Sequence, residues 1–266
     1  MDLDDAYANM PYIPDANGYP PRWAASAADY RDKLVDAGHA RLDIPYGDTK
    51  RTAFDLFLPK GTPQGLCVFV HGGYWLKFHR TFWSHFAAGP VARGWAVAMP
   101  SYDLCPDVRI SEITRQIAQA VCVAAERVAG PIMLTGHSAG GHLVARMGLA
   151  GMLPAPVAGR IGHILPISPV SDLRPLMGTA MNTDFRLTDD EAAAESPTLY
   201  PAPNMPVTVW VGGDERPVFL DQARWLAEAW NAAHVVVPGQ HHFDVIEPLR
   251  DPQSLLVERL LNPHAR

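Results

Sequence analysis

The chain has 266 residues, 48% of them hydrophobic and 19% charged, enough to bury one sizeable α/β core. A formal net charge of −6 without any long Lys/Arg run excludes the electrostatic footprint of a nucleic-acid or anionic-membrane binder, and leaves a small molecule as the expected partner. No apolar run approaches membrane-spanning length, the acidic opening MDLDDAY lacks the features of a secretory signal, and three widely spaced cysteines (Cys67, Cys105, Cys122) suit reduced thiols in a cytoplasmic protein better than a disulfide framework or metal cluster.

Residues 1–40 read as an N-terminal arm, with a Pro/Tyr-rich part over 10–21 and an amphipathic stretch from Trp23. Residues 41–46 and 52–58 alternate apolar and polar side chains, which suits an antiparallel edge. Apolar runs bounded by Gly or Pro then recur at 66–70, 95–99, 132–135, 161–167, 207–211 and 235–237, and read as buried strands. Between them lie helical patterns. The clearest is Ile110, Ile113, Ile117, Val121, Ala124 and Val128, spaced three and four apart, and a second runs over 219–230. Strands alternating with helices imply right-handed crossovers and a mostly parallel central sheet with helices on both faces. Residues 171–205, rich in Pro, Asp and Asn, interrupt that rhythm and read as a small lid or cap insertion in a single domain over 1–266.

The loops that follow these strands carry the chemistry. After 66–70 comes Val70-His71-Gly72-Gly73-Tyr74-Trp75, where glycines let backbone N–H groups approach a developing oxyanion; Gly72, Gly73 and the Ala139 amide are the candidate donors. The neighbouring rings Tyr74, Trp75 and Phe78, with Tyr102 on a later loop, can narrow the acyl side and stack on an aromatic leaving group. Tyr74, Trp75 and Tyr102 are therefore candidate substrate-binding residues. After 132–135, Gly136-His137-Ser138-Ala139-Gly140 fits G-x-S-x-G, with a strand leading in and a helix starting near Ala139. The Ser138 hydroxyl then stands at the carboxyl end of the sheet, beside helix N–H groups that favour negative charge. A serine hydroxyl needs a base to take its proton, and the base needs an acid to orient it. Both follow in the order Ser, acid, His: Gly212-Gly213-Asp214-Glu215 after 207–211, and Pro238-Gly239-Gln240-His241-His242 after 235–237. The acid at this point is either carboxylate of the adjacent pair, and the base either histidine.

The combination HGGYW, GHSAGGH and a late HHFDVIE resembles the kynurenine formamidase (arylformamidase) group of α/β-hydrolases, near the hormone-sensitive-lipase-like esterases. The resemblance covers most of the chain, including LDDAY near the start, SYDLCP at 101–106, SPVSDLRPL at 168–176 and residues 187–197. It implies the α/β-hydrolase fold, no cofactor or metal, and hydrolysis of a small formyl or acyl group from an aromatic amide or ester. The group's catalytic histidine is followed by Phe, which selects His242. Its acid is followed by x-Pro-x-Phe, which selects Glu215 through Glu215-Arg216-Pro217-Val218-Phe219 and leaves Asp214 as the alternate. Many relatives carry Asp at that position, so Glu is a departure.

Other readings are weaker. A zinc hydrolase needs histidines four apart on a helix, whereas His137 and His142 are five apart and His79 and His85 six. A non-catalytic binding protein on this scaffold is expected to have lost the serine, the histidine or the oxyanion glycines. An acyl-CoA thioesterase lacks a basic cluster here for the nucleotide phosphates. A broad short-chain carboxylesterase is the main competitor, and the oligomeric state is open.

Overall fold

The computed structural model describes residues 2–263 and builds one sheet from eight strands: β1 (Ala40–Pro45), β2 (Ala53–Phe57), β3 (Leu66–Val70), β4 (Ala96–Pro100), β5 (Ile132–His137), β6 (Ile161–Ile167), β7 (Thr208–Gly212) and β8 (Ala233–Val237). Their spatial order is β1-β2-β4-β3-β5-β6-β7-β8, and β2 alone runs against the rest. The fold is that of an α/β-hydrolase. Among the described residues, the helices of seven residues or more are α1 (Tyr19–Asp36), α2 (Ile110–Arg127), α3 (Ala139–Met147), α4 (Pro217–Trp230) and α5 (Leu255–Leu261).

Each central strand is buried on both faces. Leu66, Val68 and Val70 of β3 pack with Ile110, Ile113 and Ile117 of α2 on one side, while Cys67 and Phe69 join Leu256, Val257 and Leu260 of α5 on the other. Near-continuous apolar runs are what two covered faces require. Strand β8 departs from the buried expectation: it is the last in the order, pairs only with β7, and leaves Val236 47% exposed. All three cysteines are free thiols, with Cys67 and Cys105 buried and Cys122 half-buried. Among the described residues no helix is long and apolar enough to cross a membrane.

Two features of the sheet position the site. The chain leaves β3 toward β4 on one side and returns past it to β5 on the other, so the carboxyl ends of β3 and β5 flank a topological switch point, where open α/β sheets bind ligands. Strand β5 also runs two residues past its expected end, because Gly136 and His137 stay paired with Pro166 and Ile167 of β6. Ser138 therefore follows the last rung of the ladder directly.

The insertion at 171–205 folds into short helical turns tied to the body of the protein. Arg109 pairs with Glu191, while Glu195 is buried against Arg146 Nε at 3.1 Å and Thr114 Oγ1 at 2.6 Å. Ser171 N–H and Asp172 N–H donate to Gln222 Oε1 on α4 at 2.8 and 2.7 Å.

Candidate active site

Ser138 occupies the turn between β5 and α3 with φ 56° and ψ −117°, a left-handed conformation unusual for a residue with a Cβ. The turn is tight enough that a Cβ on Gly140 would lie 2.0 Å from the Val70 carbonyl oxygen. Only glycine leaves room there for α3 to start beside the end of β3. Ser138 N–H donates to the Ile167 carbonyl at 2.8 Å, and its own carbonyl accepts from His142 N–H at 3.0 Å.

The loop after β3 lies against this turn: a Cβ on Gly72 would meet His137 O at 2.8 Å and the Ser138 Cβ at 3.0 Å. Among the described residues the N–H groups of Gly72 and Gly73 donate to no protein acceptor. Ala139 is the first residue of α3, so its N–H has no partner within the helix. The loop holds its shape through positive φ at Gly73, Tyr74 and Trp75 (110°, 54° and 56°) and through Leu76 and Lys77 N–H groups that both donate to Gly73 O at 3.0 Å.

His242 and Glu215 come together behind the serine. His242 Nδ1 lies 2.5 Å from Glu215 Oε2. Glu215 Oε1 accepts from Gly212 N–H at 2.9 Å and from the Ser168 hydroxyl, so the carboxylate is fully engaged in a buried position. Asp214 lies elsewhere, accepting from Gly239 N–H at 3.3 Å in an exposed turn. His241 also points away, with Nε2 3.2 Å from the Tyr19 hydroxyl. The His242 ring is held between Phe219 and His137, at centroid distances of 4.3 and 4.6 Å.

Ser138, His137 and His242 line one cavity of 370 Å³. Its walls are mostly aromatic and apolar, among them Trp23, Tyr74, Phe78, Trp83 and Phe243. Tyr74 thus lies where the sequence suggests, whereas Trp75 and Tyr102 do not line the cavity and are fully buried. The reason is packing: Trp75 turns inward to edge contacts with His142 and Phe185 at 5.2 and 5.7 Å. Tyr102 stacks on His71 at 4.4 Å and donates to the His71 carbonyl at 2.9 Å, supporting the glycine loop from behind. Burial drives the imidazoles of His71 and His142 down to about 3 and holds His137 well below its usual range.

The cavity roof comes from the N-terminal arm. Tyr7, Ala8, Asn9, Met10 and Pro11 all line it, while the 171–205 insertion contributes Met181 alone. The arm is latched in place. Tyr74 Oη donates to Tyr7 O at 2.5 Å, and Gln222 Nε2 donates to Tyr7 Oη at 2.8 Å. Arg216, next to Glu215, pairs with Asp5 Oδ2 at 2.8 Å and lies 3.5 Å over the Tyr12 ring. Sequence reasoning missed these contacts, as it missed Ser168. The available signal for Ser168 was its place directly after a strand, like that of Ser138. Among the described residues no group of three or more His, Cys, Asp or Glu side chains is arranged to hold a metal ion.

The α/β-hydrolase fold family matches residues 67–246. Kynurenine formamidase from Danio rerio is 29% identical to this chain, covering 83% of it and 80% of its own length. Kynurenine formamidase from Salmo salar is 30% identical with the same coverage. A solved structure from Silicibacter sp. TM1040, provisionally assigned as a thioesterase, shares 60% identity and superposes with a TM-score of 0.96 over 98% of this chain and 99% of its own.

Proposed function

The chain belongs to the α/β-hydrolase family, in its kynurenine formamidase-like group, and on that premise we propose that it is a serine hydrolase removing a small formyl or acyl group from an aromatic amide or ester. Ser138 attacks the carbonyl carbon while His242 takes its proton, and Glu215 holds the imidazole in the tautomer that can accept it. The N–H groups of Gly72, Gly73 and Ala139 stabilise the oxyanion. His242 next protonates the leaving amine or alcohol, which departs and leaves an acyl-enzyme on Ser138. Water, deprotonated by His242, attacks that ester, and the acid leaves as Ser138 regains its proton. The cycle draws on no cofactor. Three free thiols, two of them buried, fit a cytoplasmic setting.

One observation carries this reading. Ser138 lines the same aromatic-rich cavity as His242, whose far nitrogen is held 2.5 Å from a buried carboxylate. The rings suit an aromatic leaving group, and the aryl formamide N-formyl-L-kynurenine is the favoured substrate. The Silicibacter relative's provisional assignment gives thioester hydrolysis as a second reading. Among the described residues Lys77 is the one Lys or Arg lining the cavity, which suits a compact thioester better than a nucleotide-bearing one.

The test compares kcat/KM for N-formyl-L-kynurenine, p-nitrophenyl acetate and the compact thioester S-phenyl thioacetate, with Ser138→Ala as the blank. The formamide is expected to lead by roughly tenfold or more, with Ser138→Ala inactive and folded. Ester cleavage alone makes the protein a carboxylesterase on this scaffold, a lead for the thioester makes it a thioesterase, and substantial activity in Ser138→Ala removes the serine mechanism.

A further inference from the structure

Asn9 belongs to the arm that roofs the catalytic cavity, and the mechanism above makes no use of it. It precedes the short 3-10 turn Met10–Tyr12, where an asparagine usually folds back to cap the first N–H groups, yet its side chain makes no capping hydrogen bond. Pro11 removes one of those N–H groups outright. The side chain is turned inward instead: Asn9 is 7% exposed, and its Nδ2 donates to Tyr74 Oη at 3.4 Å. Its Oδ1 meets no donor among the described residues and still keeps accessible surface, so it is an acceptor that a ligand can reach.

Asn9 lines two cavities. One is the catalytic cavity of 370 Å³; the other, of 260 Å³, is lined by the polar side chains of Tyr12, Asp214, Arg216 and His241 and reaches the surface at the exposed Asp214. Among the described residues, Asn9 and His242 alone line both. His242 is left in the same condition as Asn9: Glu215 engages its Nδ1, while its Nε2 has no protein partner and stays accessible. The boundary between an apolar cavity and a polar one therefore carries two open acceptors, an amide oxygen and, with the proton on Nδ1, an imidazole nitrogen. Two acceptors call for a molecule that donates twice. The leaving group does not meet that need, because His242 already carries the proton when it meets the leaving atom. Water in the second half of the cycle does, since His242 is then neutral again, and the polar cavity has room for several waters at roughly 30 Å³ each. We propose that Asn9 Oδ1 accepts one hydrogen of the hydrolytic water while His242 Nε2 removes the other, making Asn9 a catalytic residue of deacylation; this rests on the serine-hydrolase reading of the same cavity. The water oxygen bonds to the acyl carbon as its proton passes to His242. Collapse of the tetrahedral intermediate then breaks the bond to Ser138 Oγ, which takes that proton back as the acid leaves.

The test uses p-nitrophenyl acetate with wild type, Asn9→Leu and Asn9→Asp, and single-turnover kinetics that give the acylation and deacylation rate constants separately. Losing one hydrogen bond to the attacking water predicts that deacylation slows about tenfold or more in Asn9→Leu, while acylation stays within about threefold of wild type. The initial p-nitrophenol burst grows accordingly, and acetyl-Ser138 accumulates in quenched intact-mass spectra. Asn9→Asp, which has the same shape and still accepts, is expected to deacylate within about threefold of wild type. Deacylation unmoved in Asn9→Leu, or acylation slowed as much as deacylation in a variant with wild-type thermal stability, overturns the proposal. So does equal slowing of deacylation in Asn9→Asp and Asn9→Leu. Ser138→Ala measured alongside separates the two claims: activity that persists there removes the serine mechanism itself, whereas acetyl-Ser138 that forms and clears alike in wild type and Asn9→Leu removes the role of Asn9 alone.

Discussion

Ser138 holds a backbone conformation (φ 56°, ψ −117°) that costs on the order of 1–3 kcal/mol, and the hydrogen bonds to Ile167 and from His142 keep it there. Strain of this kind marks a position where the fold fixes a side chain for use. The adjacent carboxylates separate by contact: Glu215 meets His242 and accepts two further hydrogen bonds, while Asp214 closes an exposed turn. Glu215→Gln is therefore expected to lower kcat by roughly 10²–10⁴-fold, and Asp214→Asn by less than about threefold. The opposite ranking in steady-state kinetics would move the acid to Asp214. At this scale the sequence was most legible where register matters, since x-Pro-x-Phe after Glu215 encodes the first turn of α4, with Pro217 at its first position. It was least legible in the glycine loop. Tyr74 and Trp75 are chemically alike, and left-handed φ values at both, which no periodicity announces, decide that one ring faces the cavity and the other the core.

At the scale of elements, the parallel strands are readable because two covered faces demand unbroken apolar runs. The exposure of β8 is not, because a run of valines does not say which strand ends the sheet. The two irregular segments, 1–40 and 171–205, differ in what they touch. Composition marked both as loop-like, but partners fix their function: buried contacts to α2, α3 and α4 anchor 171–205, while the N-terminal arm covers the cavity. The arm's latch is an Arg216–Asp5 pair and an Arg216–Tyr12 cation–π contact, both modest and partly exposed interactions. The double variant Asp5→Ala/Tyr12→Ala is predicted to raise KM for an aryl formamide about threefold to tenfold, with a smaller effect on kcat. An unchanged KM would show that the arm does not shape the aromatic side of the cavity.

The whole molecule carries an unusual load of buried neutral imidazoles. Burial pushes His71, His85 and His142 down to about 3, and His137 well below its usual range. In the unfolded chain each returns to an ordinary value near 6.5. Between these limits the unfolded state binds more protons, so stability is complete above pH 6.5 and falls as the pH drops toward 3, with a slope on the order of one proton per histidine. Thermal unfolding followed from pH 8 to 4.5 is expected to show a level Tm down to about pH 6.5 and a steepening decline below it. A Tm that stays flat to pH 5 would contradict this, and would mean that the buried rings take up protons without unfolding the chain.

The central claim is that the Ser138 hydroxyl is the atom that carries the acyl group. The most direct measurement is intact-mass and peptide mapping of the protein after reaction with an organophosphate such as diethyl p-nitrophenyl phosphate, which phosphorylates an activated serine and traps it. The account predicts one phosphoryl group per chain, on the peptide containing Ser138, with loss of hydrolysis in proportion to labelling and no label on Ser138→Ala. Labelling elsewhere with activity lost, or hydrolysis that survives full labelling of Ser138, would contradict it.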